Sequence, residues 1–197
     1  SDVRMNGLFL RPGENVEAVH PETGLTQMDL LEDERRYEAT EIESKVTSPD
    51  SNRKILAEIK TYADAHEQLT GRFPKTLIFA ANDLPNIGHA NQLVDLARDV
   101  FGRGDAFVQK ITGSKDVDRP LQRIKEFRNR TKTGVVVTVD MLTTGVDIPD
   151  LEFIVFLRLV QSRILFEQML GRGTRKGEKA PDKDHFTVFD CFDGTLL

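Results

Sequence analysis

The chain alternates between short runs of β-branched or aromatic residues and longer segments whose apolar residues recur at helical spacing. The runs lie at 76–81, 106–111, 135–139, 153–157 and 186–189. A continuous apolar run bounded by turn residues is typical of a strand buried on both faces. Strands that alternate with helices along a chain form a mainly parallel sheet with helices on both sides. The pattern therefore predicts an α/β domain with three layers, αβα.

The segments between these runs are predicted to be helices. Ser51 or Asn52 can cap a helix whose apolar positions continue to Leu69. One-sided apolar stripes predict further helices over 87–101, around 121–127 and over 163–170. These helices would supply the crossovers that parallel strands require.

The first 44 residues show neither pattern clearly. Apolar residues on both sides of the turn at 11–14 are compatible with a small hairpin, and the acidic stretch 28–36 favours a helix. We expect residues 1–44 to form a connector, irregular or helical, or a hairpin that extends from a preceding domain, and residues 45–197 to form the α/β domain. The start of the chain has no Met and no apolar secretory core, which favours a piece of a longer polypeptide.

Composition narrows the class of protein. Apolar residues make up 39% of the chain and charged residues 30%, and no apolar run approaches the roughly 20 residues of a membrane span. We therefore expect a globular domain without a membrane partner. The single cysteine, Cys191, excludes an internal disulfide and indicates a reducing, cytoplasmic location. The four histidines are widely spaced, so no metal site is predicted.

The net charge of −5 argues against binding nucleic acid through bulk charge. The distribution is uneven, because 103–132 contains nine basic and four acidic residues, whereas 14–67 contains fourteen acidic and six basic residues. The basic segment is either a solvated helix face or a surface for phosphate groups, and its composition favours neither.

Two segments carry candidate chemistry. In the first, the apolar run 135–139 leads into a polar loop that contains Thr143, Thr144, Gly145 and Asp147. Ligands of open parallel sheets bind just beyond the carboxyl ends of the strands, so this loop lies where such a sheet binds them.

The second segment is a predicted helix that contains Gln168 and breaks at Gly171 and Gly173. Arg172 and Arg175 follow within this break. Their planar guanidinium groups suit phosphate oxygens.

Together these segments resemble motifs V and VI of the superfamily 2 helicases and translocases. Motif VI reads Gln-x-x-Gly-Arg-x-x-Arg and motif V ends in Gly-x-Asp; the matching residues are Gln168, Gly171, Arg172, Arg175, Gly145 and Asp147. The run 76–81 resembles motif IV. The string at 46–55 is similar to the segment that leads into this domain in the motor subunits of type I restriction enzymes. The resemblance covers roughly residues 45–190 and implies the second of two RecA-like domains.

The chain departs from the family pattern in motif V. Val139 precedes Asp140 where many relatives carry a phosphate-binding Thr. Thr138 is then a doubtful contact, because its neighbours alternate into the core, and Thr143 and Thr144 are better candidates. Thr144 also replaces the usual Arg before the glycine, which weakens any inference from RNA helicases.

The resemblance implies roles in ATP hydrolysis. Arg175 would be the arginine finger on the γ-phosphate, with Arg172 beside it and Gln168 orienting the arginine or the phosphate. Gly145 would let the backbone approach the nucleotide, and Asp147 would bind the ribose or join motif V to motif VI. No Walker A string and no apolar strand ending in Asp-Glu occur. ATP and Mg²⁺ would therefore be held mainly by a first motor domain, and this chain alone would be inactive.

The implied partners are double-stranded DNA, the first RecA-like domain of the same polypeptide, and the specificity and methylation subunits of a type I restriction enzyme. The DNA phosphates would contact Thr112, Gly113, Thr143 and Thr144. Two alternatives stay open: another superfamily 2 helicase, in repair or RNA metabolism, and a non-catalytic module for nucleic-acid binding or assembly. A free-standing small-molecule enzyme is disfavoured, since no Gly-rich phosphate loop or nucleophile–base pair is present.

Overall fold

A computed structural model gives the structure of the chain. It describes residues 8–10, 15–19, 26–30, 35–37, 46–47, 49–84, 88–113, 117–129, 132–139, 148, 150–158, 183 and 185–191. Among the helices in these ranges, none is long and apolar enough to span a membrane. The same ranges contain no cluster of His, Cys, Asp and Glu side chains that could hold a metal ion.

The connector contains strands in the part that the structure describes. They are β1 (Leu8–Leu10), β2 (Asn15–Val19), β3 (Thr26–Leu30), β4 (Arg35–Tyr37) and β5 (Val46–Thr47). β1 pairs with β4, and β2 lies between β3 and β5, all antiparallel.

Two expectations for the connector were wrong. The helix expected over 28–36 is replaced by the end of β3 and by β4. Met28 and Leu30 alternate with polar residues, and this strand period outweighs the acidic composition. The small hairpin joins β2 to β3 rather than β1 to β2. The domain boundary at 44/45 stays a prediction.

The main sheet has five strands, all parallel, in the order β10-β9-β6-β8-β7. The strands are β6 (Thr76–Ala80), β7 (Val108–Lys110), β8 (Val135–Thr138), β9 (Phe153–Leu157) and β10 (Thr187–Asp190). Each coincides within a few residues with an apolar run, because strands covered on both faces need apolar side chains on both.

Helices cover both faces of the sheet. They are α1 (Pro49–Thr70), α2 (His89–Phe101) and α3 (Pro120–Asn129). Ile78 and Ala80 of β6 pack in the core beneath α1 and α2, whereas Leu77 and Phe79 pack in the core beneath α3. This alternation is the period of a strand, and it confirms the three-layer αβα prediction.

The start of α1 differs from the expected cap. The helix begins at Pro49, so Ser51 and Asn52 lie inside its first turns. Proline suits the first helical position, because its missing N–H would have no partner there. Asn52 is instead buried, with 1% of its surface exposed.

A buried carboxylate links residues at the amino ends of the strands of the main sheet. Glu152 precedes β9 and is 3% exposed. Its Oε1 accepts from Nε (3.1 Å) and Nη2 (2.9 Å) of Arg72, and its Oε2 accepts from the Lys75 backbone N–H at 3.0 Å. Nε2 of His66 lies 3.3 Å from Oε1. These bonds tie the end of α1 to the beginnings of β6 and β9.

Candidate functional site

The strand order places the candidate site at the carboxyl end of β6. The carboxyl ends of all five parallel strands lie on this side of the sheet, which we call the carboxyl edge. From β6 the chain goes to β7 at the far edge, returns to β8 beside β6, and then moves to β9 on the other side of β6. The direction of strand addition thus reverses at β6, and ligands of open α/β sheets bind at such switch points. The residues that follow β6, β7, β8 and β9 therefore share one surface.

The turn after β6 caps the next helix. The Asn82 side-chain oxygen accepts from the His89 N–H at 3.0 Å, and the Asn82 carbonyl accepts from the Ala90 N–H at 3.0 Å. A Cβ on Gly88 would lie 2.4 Å from the backbone nitrogen of Leu84, so only glycine fits this close turn. The first amides of α2 are therefore satisfied by the protein itself.

Asp83 joins this turn to the end of β7. Its Oδ1 lies 2.7 Å from Nζ of Lys110, and its Oδ2 accepts a hydrogen bond from the hydroxyl of Thr112. The side chains of Asp83 and Lys110 are 9% and 10% exposed. This ion pair is nearly buried. Each charge has lost most of its contact with water and is stabilised by its partner instead.

The sequence-predicted contacts Thr112 and Gly113 lie at the carboxyl edge, in the turn after β7. Thr112 is buried at 6% exposure, and its hydroxyl bonds Asp83. Gly113 is exposed, and a Cβ built on it would meet nothing within 4 Å. The backbone of this turn, rather than the Thr112 side chain, faces outward.

The end of β8 agrees with the doubt about Thr138. Its side chain is 0% exposed, and its hydroxyl finds no hydrogen-bond partner among the described residues. Nη1 of Arg158, which directly follows β9, donates to the Val139 carbonyl at 3.1 Å. The bond joins β9 to β8 across the intervening strand β6.

The remaining candidate residues lie outside the described residues. They are Thr143, Thr144, Gly145, Asp147, Gln168, Gly171, Arg172 and Arg175. Both ends of the motif V segment are nevertheless located. Val139 directly follows β8, and Ile148 is fully buried in the core beneath α3. The described chain therefore ends at Val139, beside the switch point, and is next located at Ile148, on the α3 face of the sheet.

Sequence reasoning missed several residues of this edge. Asp83, Lys110 and Arg158 bond partners that lie far away in the chain, so no local pattern indicates them. A second network joins α1 to α2, where the Asn52 carboxamide lies 3.2 Å from Nε2 of His89. Nδ1 of His89 accepts from the Ala81 N–H at 3.1 Å. The sequence indicated Asn52 only as a possible cap of this helix.

The fold defines the class of the protein. The structure is similar to domain 2 of the DEAD-box helicase Mss116p, which was solved bound to an RNA duplex, with a TM-score of 0.57 and 18% identity. The likeness covers 75% of this chain and 52% of that one. At this identity it shows the fold alone, a RecA-like α/β fold.

Sequence comparison gives the family. The model of the helicase conserved C-terminal domain matches residues 60–177, so this chain belongs to that family. The matched range includes the segments that resemble motifs IV, V and VI.

Two relatives come from type I restriction enzymes. The chain is 40% identical over 195 residues to the type I restriction enzyme EcoKI endonuclease subunit of Escherichia coli (strain K12). This alignment covers 95% of the chain. A fragment of an HsdR subunit from Vibrio vulnificus YJ016 is 25% identical, with a TM-score of 0.52 over 74% of this chain. The chain spans 16% of the first relative and 29% of the second. The resemblance to type I motor subunits is thus confirmed.

Proposed function

We propose that this chain is the second motor domain of an ATP-dependent DNA translocase, within the restriction subunit of a type I restriction-modification enzyme. The family match and the 40% identity to the EcoKI subunit support the proposal. The carrying observation is that β8, which directly precedes the segment resembling motif V, ends beside β6 at the switch point of the sheet. That is where a second motor domain would meet the nucleotide.

The proposed chemistry is phosphoryl transfer assisted by arginine. The barrier to this reaction is lowered mainly by positioning and by positive charge placed around the γ-phosphate. Arg175 is the proposed finger, Arg172 its neighbour, and Gln168 the residue that orients them. Mg²⁺ and the triphosphate cradle are assigned to the first motor domain, because this sequence has no Walker A string and no apolar strand that ends in Asp-Glu.

The proposed DNA path crosses the carboxyl edge. The exposed turn at Gly113 and the loop at Thr143 and Thr144 would contact phosphates through backbone and hydroxyl groups. Such contacts position a duplex without reading its sequence. Double-stranded DNA, the first RecA-like domain, and the specificity and methylation subunits are the proposed partners, and the cytoplasm the proposed location.

The finger is tested with Arg175→Ala in a polypeptide that contains both motor domains. Hydrolysis should fall by about 1,000- to 100,000-fold, the range known for arginine fingers, with ATP affinity nearly unchanged. Arg175→Lys should restore little, because an ammonium does not reproduce the planar fork. The matched control is Arg53→Ala, which removes a surface arginine that pairs with Asp99 at 3.1 Å.

The alternatives give different results. If Arg175→Ala hydrolyses ATP within about threefold of the parent while its melting temperature falls, Arg175 is structural and the motif VI assignment is wrong. A non-catalytic module predicts no ATP hydrolysis by the unsubstituted protein. A helicase of RNA metabolism predicts hydrolysis that RNA stimulates and duplex DNA does not.

A further inference from the structure

Asp83 bridges two turns that are separated by a strand. Its carboxylate follows β6, and both its partners, Lys110 and Thr112, lie at the end of β7. Because β8 lies between β6 and β7, the bridge passes over the carboxyl end of β8. Beyond the bond from the Ile111 N–H to the Val137 carbonyl at 3.0 Å, the Asp83 carboxylate is what ties the Thr112–Gly113 turn to the turn after β6.

The bridge also fixes what the Thr112 hydroxyl can do. A hydroxyl carries a single hydrogen, and here Thr112 donates it to Oδ2 of Asp83. A phosphate diester offers only acceptor oxygens, so this hydroxyl cannot donate to DNA while the bond is present. The exposed backbone at Gly113 has open space around it and can approach a phosphate.

We propose that Asp83 is a positioning residue for nucleic acid: it holds the Thr112–Gly113 turn so that the turn's backbone, and not its hydroxyl, contacts a phosphate. The inference rests on the proposed function and adds to it the residue that sets this contact. Neither Asp83 nor Lys110 touches the DNA in this arrangement, because both are nearly buried.

If Asp83 positions the turn, removing its charge should weaken DNA binding, whereas the loss of a negative charge alone would strengthen it. Asp83 is negative and neutralises Lys110, so on electrostatic grounds alone Asp83→Asn would tighten the binding of a polyanion. If Asp83 acts by positioning, the same substitution loosens the turn and weakens binding, because an amide offers one acceptor oxygen where the carboxylate offers two. A matched control for the charge is Asp99→Asn, since Asp99 is 67% exposed on α2 and pairs with Arg53.

The experiment measures fluorescence anisotropy of a labelled duplex oligonucleotide with the 197-residue chain at several salt concentrations. Asp83→Asn is expected to weaken binding about three- to tenfold, the usual size of an indirect effect on a ligand. The slope of log Kd against log salt concentration should decrease by about the amount that corresponds to one lost phosphate contact. Asp99→Asn should bind equally or slightly more tightly. Melting temperatures are recorded for every variant.

A second variant covers the case in which Asp83→Asn does not fold. Thr112→Val keeps the Asp83–Lys110 pair and removes only the hydroxyl that holds the turn, so binding should weaken at a nearly unchanged melting temperature. Binding by Thr112→Val equal to that of the unsubstituted chain overturns the proposal. Tighter binding by a folded Asp83→Asn, or a change equal to that of Asp99→Asn, also overturns it.

The result also separates this inference from the proposed function. If the unsubstituted chain does not bind duplex DNA at low salt, the DNA path of the proposed function fails, and the role of Asp83 fails with it. If the unsubstituted chain binds and only the Asp83 and Thr112 variants behave contrary to expectation, the proposed function stands and the positioning role alone is wrong.

Discussion

Arg158 donates from Nη1 to the carbonyl oxygen of Val139, 3.1 Å away, across the end of β6. The sheet order β9-β6-β8 makes this a bond between strands that are not neighbours. Val139 directly precedes the segment that contains Gly145 and Asp147. The guanidinium therefore holds the point at which the motif V segment leaves the sheet.

We expect Arg158→Ala to lower the free energy of unfolding by about 1–3 kcal/mol, because the Val139 carbonyl loses a charged donor. The control is Arg123→Ala, which removes one bond from Nε to the Asp118 carbonyl and one from Nη1 to Oε1 of Gln109, both at 2.9 Å and both outside the motif V strand end. Urea denaturation of both variants measures the difference. Equal changes in the two variants would show that the position of Arg158 over the sheet has no special importance.

Gly134 lies against a cluster of aromatic side chains at the amino ends of the strands, and this cluster leaves no room for a larger residue. A Cβ at this position would lie 2.4 Å from Cε2 and Cζ of Phe107 and 3.1 Å from Cδ1 of Phe73. Phe107 cannot retreat easily, since its ring packs edge-on against Phe73 at 4.8 Å and beneath the Arg103 guanidinium at 5.3 Å. We expect Gly134→Ala to cost about 1–3 kcal/mol, the usual penalty of overpacking.

The cause of that penalty can be tested with a second substitution. Gly134→Ala combined with Phe107→Leu should be less destabilised than the sum of the single variants, because the smaller side chain removes the clash. Gly113→Ala is the matched control, since its Cβ would meet nothing within 4 Å. Calorimetry of the unsubstituted chain and the four variants measures these losses, and additive losses would contradict the steric explanation.

The ion pair of Glu67 and Arg103 predicts a dependence of stability on pH. The hydrogen bond from Arg103 lowers the pKa of Glu67 below its ordinary value of 4.5 and raises that of Arg103. A carboxyl whose pKa is lower in the folded state stabilises the fold above its unfolded pKa. This contribution is lost as the pH falls through the folded pKa.

The measurement compares the unsubstituted chain with Glu67→Gln. The unsubstituted chain should be more stable by less than about 1 kcal/mol at neutral pH, because the pair is partly exposed. The difference should stay constant near neutral pH and shrink as the pH falls through the folded pKa of Glu67, which lies below 4.5. A difference that persists unchanged into strong acid would show that the lost side-chain packing, and not the charge, stabilises the fold.

The sequence by itself determined the main domain. Runs such as 135–138 consist of β-branched residues because the strands are covered on both faces, and this property can be read from the local sequence. The apolar stripes at helical spacing between these runs predict helices. Strands that alternate with helices are consistent with a parallel sheet whose strands are joined by helical crossovers. The motif residues from Gln168 to Arg175 were also visible locally, since their spacing alone carries the resemblance.

The tertiary structure decided what depends on partners far apart in the chain. β3 and β4 form because strands elsewhere in the connector pair with them, and composition does not encode that pairing. Asn52 is buried because His89, on α2, supplies a polar partner. The roles of Asp83 and Arg158 depend on the strand order, which places β8 beside β6 and lets one side chain reach across a strand. Local spacing cannot show these roles, since each arises only when two distant strand ends meet.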